Sequence, residues 1–173
     1  MLGYLHLDML DVDAAMAELE RGLSLARDTG SSHWVRVASG LLASATITRR
    51  DHARAEAVLD AAGEPTSAPL TLGARLVWCA RAELALARKQ PEEALGLLDQ
   101  LEAVAMTPSQ EEIRHRSLQL LSLRGTAIAA LGHPAEAALL LDAARDLAGG
   151  TGARPILWRI EIARGALALA TGR

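Results

Sequence analysis

The stretch RGTAIAALGHPAEAALLL, residues 124–141, decides the fold. It reads as two helices joined by a tight turn. The residues up to Leu131 include strong helix formers, Gly132 can close a helix in the left-handed conformation, and Pro134 suits the first position of the next helix. Glu136 then falls in the first turn, where the helix dipole favours an acid. Gly125 in the first helix and Ala137 in the second are both small, so the two helices can approach closely where they cross. Leu141 lies on the same helix face as Ala137, four residues on, and fills the space behind it.

The same pattern recurs on both sides of this stretch. Ala15, Ala55, Ala94 and Ala137 are separated by 40, 39 and 43 residues, and Leu19, Leu59, Leu98 and Leu141 follow each of them by four. Twelve positions before the alanines stand Gly3, Ala43, Ala82 and Gly125, and Gly165 comes 40 residues after Gly125. A period of this length marks supersecondary units that stack side by side. Gln90-Pro91-Glu92-Glu93 repeats the turn chemistry of His133-Pro134-Ala135-Glu136. Asp11 and Asp51 are N-caps for the second helices of the first two units, and Thr107-Pro108-Ser109-Gln110 reads as a capping box. Gly63 and the pair Gly149-Gly150 mark helix ends.

The pattern predicts helices over 1–9, 12–28, 32–48, 52–62, 71–88, 91–104, 108–131, 134–148 and 154–171. They group into units of about 1–30, 31–63, 70–106 and 107–150, with an incomplete fifth at 151–173, in a single domain over residues 1–173. The fold class is all-α, built from antiparallel helix hairpins with a period of about 40. Composition agrees. Half of the residues are apolar, yet there is no Phe, one Tyr and three Trp. An Ala- and Leu-filled helical core suits that inventory, whereas a sheet would need alternating β-branched and aromatic residues.

The net charge is −3 with acids and bases interspersed, so no basic stripe for nucleic acid stands out. Cys79 is the single cysteine, which excludes an internal disulfide and a Cys-rich metal site. The histidines His6, His33, His52, His115 and His133 show no pair at metal-ligand spacing. No leader and no long apolar run is evident, and the chain is expected in the cytoplasm without membrane or direct nucleic-acid binding. No Ser-His-Asp arrangement or carboxylate pair rises above ordinary surface polarity, so no catalytic residue, cofactor or metal is expected.

Gly125, Gly132, Ala137 and Leu141 resemble, in order, the pattern of tetratricopeptide repeats, and Gly165 and Gly172 match its first half. Two departures are the period, about 40 where the family has 34, and the residue before the small position, where Arg81, Arg124 and Arg164 replace the family's Leu. Longer units with a Trp early in the first helix resemble the helical-repeat region of MalT-like and other LuxR-family bacterial transcriptional regulators. Thr29-Gly30 to Trp34 and Thr151-Gly152 to Arg159 carry that likeness.

The resemblance implies a right-handed superhelix whose first helices line a concave face. By register its lining is Val37, Gly40, Ser44 and Ile47, then Leu76, Cys79, Glu83 and Leu86, then Gln119, Ser122 and Thr126, then Arg159, Ile162 and Ala166. Such a surface of small and mildly polar groups suits a peptide, a helix or a small effector, or else neighbouring helices of the intact protein. Arg81, Arg124 and Arg164 share one column, so they form either an anion ladder or three separate pairs with acids such as Glu83, Asp142 and Glu161. Trp34, Trp78 and Trp158 are wedges between units or a stacking surface.

No phosphate-loop motif and no separate helix-turn-helix accompany the repeats. The expectation is a non-enzymatic interaction or effector-sensing segment of a bacterial regulator, a fragment of a larger protein whose other domains it serves. The alternative is a stand-alone scaffold holding a partner peptide or helix in its concave groove. The stripe Ile156, Ile160, Ala163 and Leu167 of the last helix is expected to lie uncovered and to promote self-association.

Overall fold

The computed structural model describes residues 2–63, 71–103, 110–151 and 154–172, without the side chains of 110–117, 151, 154 and 155. Over these residues the chain is all-helical: α1 (Leu2–Asp8), α2 (Val12–Asp28), α3 (Ser32–Thr48), α4 (His52–Ala61), α5 (Leu72–Ala87), α6 (Pro91–Ala103), α7 (Gln110–Ala130), α8 (Pro134–Thr151) and α9 (Arg154–Ala170). Thr107, Pro108 and Ser109 of the expected capping box lie outside the described residues. One helix end differs from expectation. Residues 149–151 remain helical, so α8 runs through Gly149-Gly150 to Thr151. Glycine there lowers helix propensity without ending the helix, because neither residue takes the positive φ that a terminating glycine needs.

Local chemistry explains the starts and stops. The Asp11 carboxylate accepts from the Ala14 amide at 3.1 Å and that of Asp51 from the Arg54 amide at 3.1 Å. Ser31 and Thr71 cap α3 and α5 in the same way, at 3.5 and 3.2 Å. Five ends share one turn. Leu10, Arg50, Lys89, Gly132 and Gly172 take φ of 62°, 62°, 61°, 85° and 71°. Each donates its amide to the carbonyl three residues back, from Leu10 to Leu7 at 3.1 Å through to Gly172 to Leu169 at 3.4 Å. In the first four, the next residue reaches the carbonyl five back, as Gln90 does to Ala85 at 2.9 Å, completing a Schellman closure.

Packing follows chain order. Successive helices touch, except that α3, α5, α7 and α9 also contact one another in turn. The core is four clusters strung along the chain. Leu7, Leu19, Leu23 and Leu42 join α1 to α3, and Ala43, Ala55, Leu59 and Val77 join α3 to α5. Trp78, Ala82, Ala94, Leu98 and Leu120 join α5 to α7, and Leu118, Ala144, Ala148 and Ile160 join α7 to α9. Each fully buried Leu stabilises by about 1.5–3 kcal/mol, so the leucine column is a major source of cohesion.

The small column sits where the helices cross. A Cβ on Gly3 would fall 2.6 Å from Leu19 Cγ, and one on Gly125 would fall 2.8 Å from Leu141 Cγ. Gly40 and Gly73 make a second close approach, between α3 and α5: their added Cβ atoms would lie 2.7 Å from the Leu76 carbonyl carbon and 2.8 Å from the His33 oxygen.

The expected open stripe on α9 is corrected by its packing. Ile160 is fully buried against α7 and α8, with Ile156 and Leu157 packed beside it. The most apolar face of a terminal helix goes to its neighbours first, and the residues left exposed are Ile162 at 64% and Leu169 at 83%.

Candidate functional site

The α3–α5–α7–α9 layer carries the groove residues expected from the register, and packing closes much of it. Ser44, Cys79, Glu83 and Ser122 are buried at 7–8% exposure, while Val37, Leu76, Gln119, Thr126 and Arg159 are half-buried. The expectation of an open lining is thereby corrected for those four. Each of the two inner helices, α5 and α7, is flanked on both sides, so its inward face is partly walled by its neighbours. Ile162 projects to solvent on another face of α9.

Three of the expected residues meet. Glu83 of α5 accepts a hydrogen bond from Gln119 Nε2 of α7 at 3.1 Å and from Arg159 Nη1 of α9 at 3.1 Å. The carboxylate is 8% exposed and the arginine 25%, so the pair has a buried end and a wet end. The Arg159 guanidinium also lies 4.9 Å from the Trp158 ring centroid. It reaches Tyr4 of α1 electrostatically. The Tyr4 phenol is held above its usual pKa by burial and by the Asp8 charge, and Arg159 pulls in the opposite direction. Residues from α1, α5, α7 and α9 therefore act on one region.

One turn before Glu83, burial pushes the Cys79 thiol up to about 12, with the Glu83 charge adding to the effect and Arg75 opposing it. A thiol so desolvated is protonated at neutral pH and is a packing group. Among the described residues no three His, Cys, Asp or Glu side chains gather as a metal site. A shallow pocket of about 530 Å³, lined by Leu86, Lys89, Pro91, Glu92, Ala130 and Leu131, lies at the turn ends of α5 to α7.

The arginine column resolves into separate pairs. Arg81 donates to the Leu59 carbonyl at 3.2 Å and lies 4.0 Å from the Asp60 carboxylate. Arg124 bonds Asp99 at 2.5 Å and Glu102 at 3.0 Å. Arg164 bonds Asp142 at 2.9 Å and Glu161 at 2.8 Å. The ladder is corrected on this geometry: each guanidinium ties its helix to the preceding one through an acid of its own, which leaves no cluster of uncompensated charge. Glu83, one of the acids expected to serve that column, pairs with Arg159 instead. A signal for the pairing was present, since Asp60, Asp99 and Asp142 each follow the column alanine by five residues.

The tryptophans divide. Trp78 is 5% exposed and wedges between α5, α6 and α7, whereas Trp34 remains 55% exposed with its ring edge-on to His33. Trp158 is half-buried, and its indole N–H has no hydrogen-bond partner. No helix of the described residues is long and apolar enough to cross a membrane. Comparison with protein-family models, with curated proteins and with solved structures gives no match.

Proposed function

We propose that these helix pairs are tetratricopeptide-like repeats of about 40 residues stacked into a right-handed superhelix, and that the chain is a non-catalytic interaction or effector-sensing segment. The five recurring turns at 40-, 39-, 43- and 40-residue intervals support the repeat, as does the succession of α3, α5, α7 and α9 contacts. The parent is a cytoplasmic bacterial regulator of the MalT-like or LuxR type, a reading that rests on the Trp-bearing segments around Trp34 and Trp158.

The observation that carries the binding function is the Glu83–Gln119–Arg159 cluster. A buried ion pair is a poor source of net stability, because desolvation offsets much of the attraction, and apolar replacements are often neutral or stabilising. Its value lies in what can compete for it. Arg159 keeps a wet edge, so an acidic group on a ligand can share the guanidinium and loosen the tie between α5 and α9. That is a way to convert binding into movement of the end of the helical stack. The ligand class is thus an acidic peptide segment, or a small carboxylate effector using the same chemistry.

An array of acidic and neutral peptides tests this directly. The expected hits contain Asp or Glu, and their binding falls at least about tenfold with Arg159→Ala while Arg124→Ala retains it. Hits that ignore both peptide charge and Arg159 would remove the inward cluster as the binding site.

A further inference from the structure

We propose that the outer face of α9, centred on Gly165, is a docking notch for an amphipathic helix of a partner protein, one carrying alanine and leucine four residues apart and running antiparallel to α9. The notch is defined by internal comparison. Gly3, Gly125 and Gly165 occupy one register column. Over Gly3 sits Leu19 with the Ala15 carbonyl, and over Gly125 sits Leu141 with the Ala137 carbonyl, all within 3.4 Å of an added Cβ. Over Gly165 nothing lies within 4 Å.

Around Gly165 the surface is apolar. Ile162 is 64% exposed and Leu169 is 83% exposed, and they flank Gly165 and the exposed Ala166 at helical spacing on one face. In the two filled examples the incoming helix brings Ala, which lets the backbones approach, and Leu four residues later, which drops into the space the glycine leaves. The same pair is demanded here. Ile162 and Leu169 would then lie on either side of the incoming leucine.

The chain itself does not hold a spare helix of this pattern among its described residues. Ala15, Ala55, Ala94 and Ala137 are fully buried and Leu19, Leu59, Leu98 and Leu141 are no more than 6% exposed, each inside its own hairpin. A second copy could supply such a helix only by opening a hairpin, so the fitting occupant is a different protein segment.

The probe is a peptide with the sequence of His133 to Gly150, which contains the Ala137 and Leu141 pair, titrated into the full ¹⁵N-labelled chain. The expected result is amide shifts centred on Ile162, Gly165, Ala166 and Leu169. Affinity should fall at least about tenfold when the peptide carries Leu141→Ala, and likewise when the protein carries Gly165→Leu. The Gly165→Leu protein should retain its fold, because its new side chain meets open space. Absence of shifts at millimolar peptide, shifts centred elsewhere, or indifference to Gly165→Leu would overturn the proposal. So would concentration-dependent dimerisation in sedimentation that Gly165→Leu abolishes, since a second copy would then be the occupant.

Discussion

Replacing glycine by alanine at three places in this molecule should give three different outcomes, although the chemical change is the same. Gly40, Gly125 and Gly165 are all interior to helices, where the substitution by itself gains roughly 1 kcal/mol of helix propensity. At Gly165 no atom stands within 4 Å of the new Cβ, so that gain should survive nearly whole. At Gly125 the new Cβ falls 2.8 Å from Leu141 Cγ and 2.9 Å from its Cδ2. Leu141 is fully buried, so it cannot swing into solvent. Overpacking of this kind costs about 1–3 kcal/mol, which leaves a net loss of about 1–2 kcal/mol. At Gly40 the obstacles include the Leu76 carbonyl carbon at 2.7 Å and the Val77 amide nitrogen at 2.9 Å. Backbone cannot rotate aside, so α3 and α5 must separate and the loss should reach roughly 3 kcal/mol or more.

Thermal unfolding resolves such differences, at about 2–4 °C per kcal/mol for a chain of this size. Gly165→Ala should melt about 2–4 °C above wild type, Gly125→Ala about 2–8 °C below it, and Gly40→Ala lower still. A double-mutant cycle isolates the cause. In a Leu141→Ala background the clash is gone, and Gly125→Ala should become stabilising by about 1 kcal/mol. A Gly125→Ala protein as stable as wild type, or one whose loss persists when Leu141 is truncated, would refute the crossing geometry.

Two other predictions concern backbone strain and buried titration. Lys89→Gly relieves a left-handed residue at φ 61°, and should stabilise by about 0.5–1 kcal/mol after the added chain entropy is counted; a lower urea midpoint would contradict this. Cys79 is held protonated in the fold, with its thiol raised from 9.0 to about 12, while the unfolded thiol ionises near 9. Its contribution is therefore complete below pH 9 and is lost as pH climbs toward 12, and Cys79→Ala should show a shallower decline of melting temperature across that interval. An identical decline in the two proteins would show that the thiol takes no part.

How much of this was legible in the sequence depended on how local the physics is. Caps and closures involve neighbours three to five residues apart, so Asp11, Asp51, Gly63 and Gly132 could be placed without a structure. The Schellman ends at Leu10, Arg50 and Lys89 were less visible, because nothing in those side chains announces a left-handed φ, and only their shared register with Gly132 and Gly172 shows it. Gly40 and Gly73 fall in the same class: their role depends on the distance between α3 and α5, which no local pattern encodes. The inward cluster lay between these limits. Glu83, Gln119 and Arg159 could be assigned to one side of the helical layer by periodicity, but their mutual hydrogen bonds depend on rotamers, and the approach of Tyr4 depends on how far the two ends of the chain curve toward each other.

The last helix shows where hydrophobicity and register part company. Judged by apolar content, Ile156, Ile160, Ala163 and Leu167 form its strongest stripe, and reasoning from that stripe made it the open face. In the structure Ile160 at the middle of the stripe is fully buried. A helix at the edge of a packed layer turns its most apolar face inward, because that burial releases most from water. What stays outside is a weaker stripe, identifiable by the position of Gly165 in a column whose other glycines each receive a leucine. For a chain built from repeated helix pairs, the better guide to an open interface is the column whose expected occupant is absent. By that criterion the two faces of α9 have separate tasks: Arg159 joins the inward polar cluster, while Gly165 and the exposed Ile162 and Leu169 present a seat shaped for another helix.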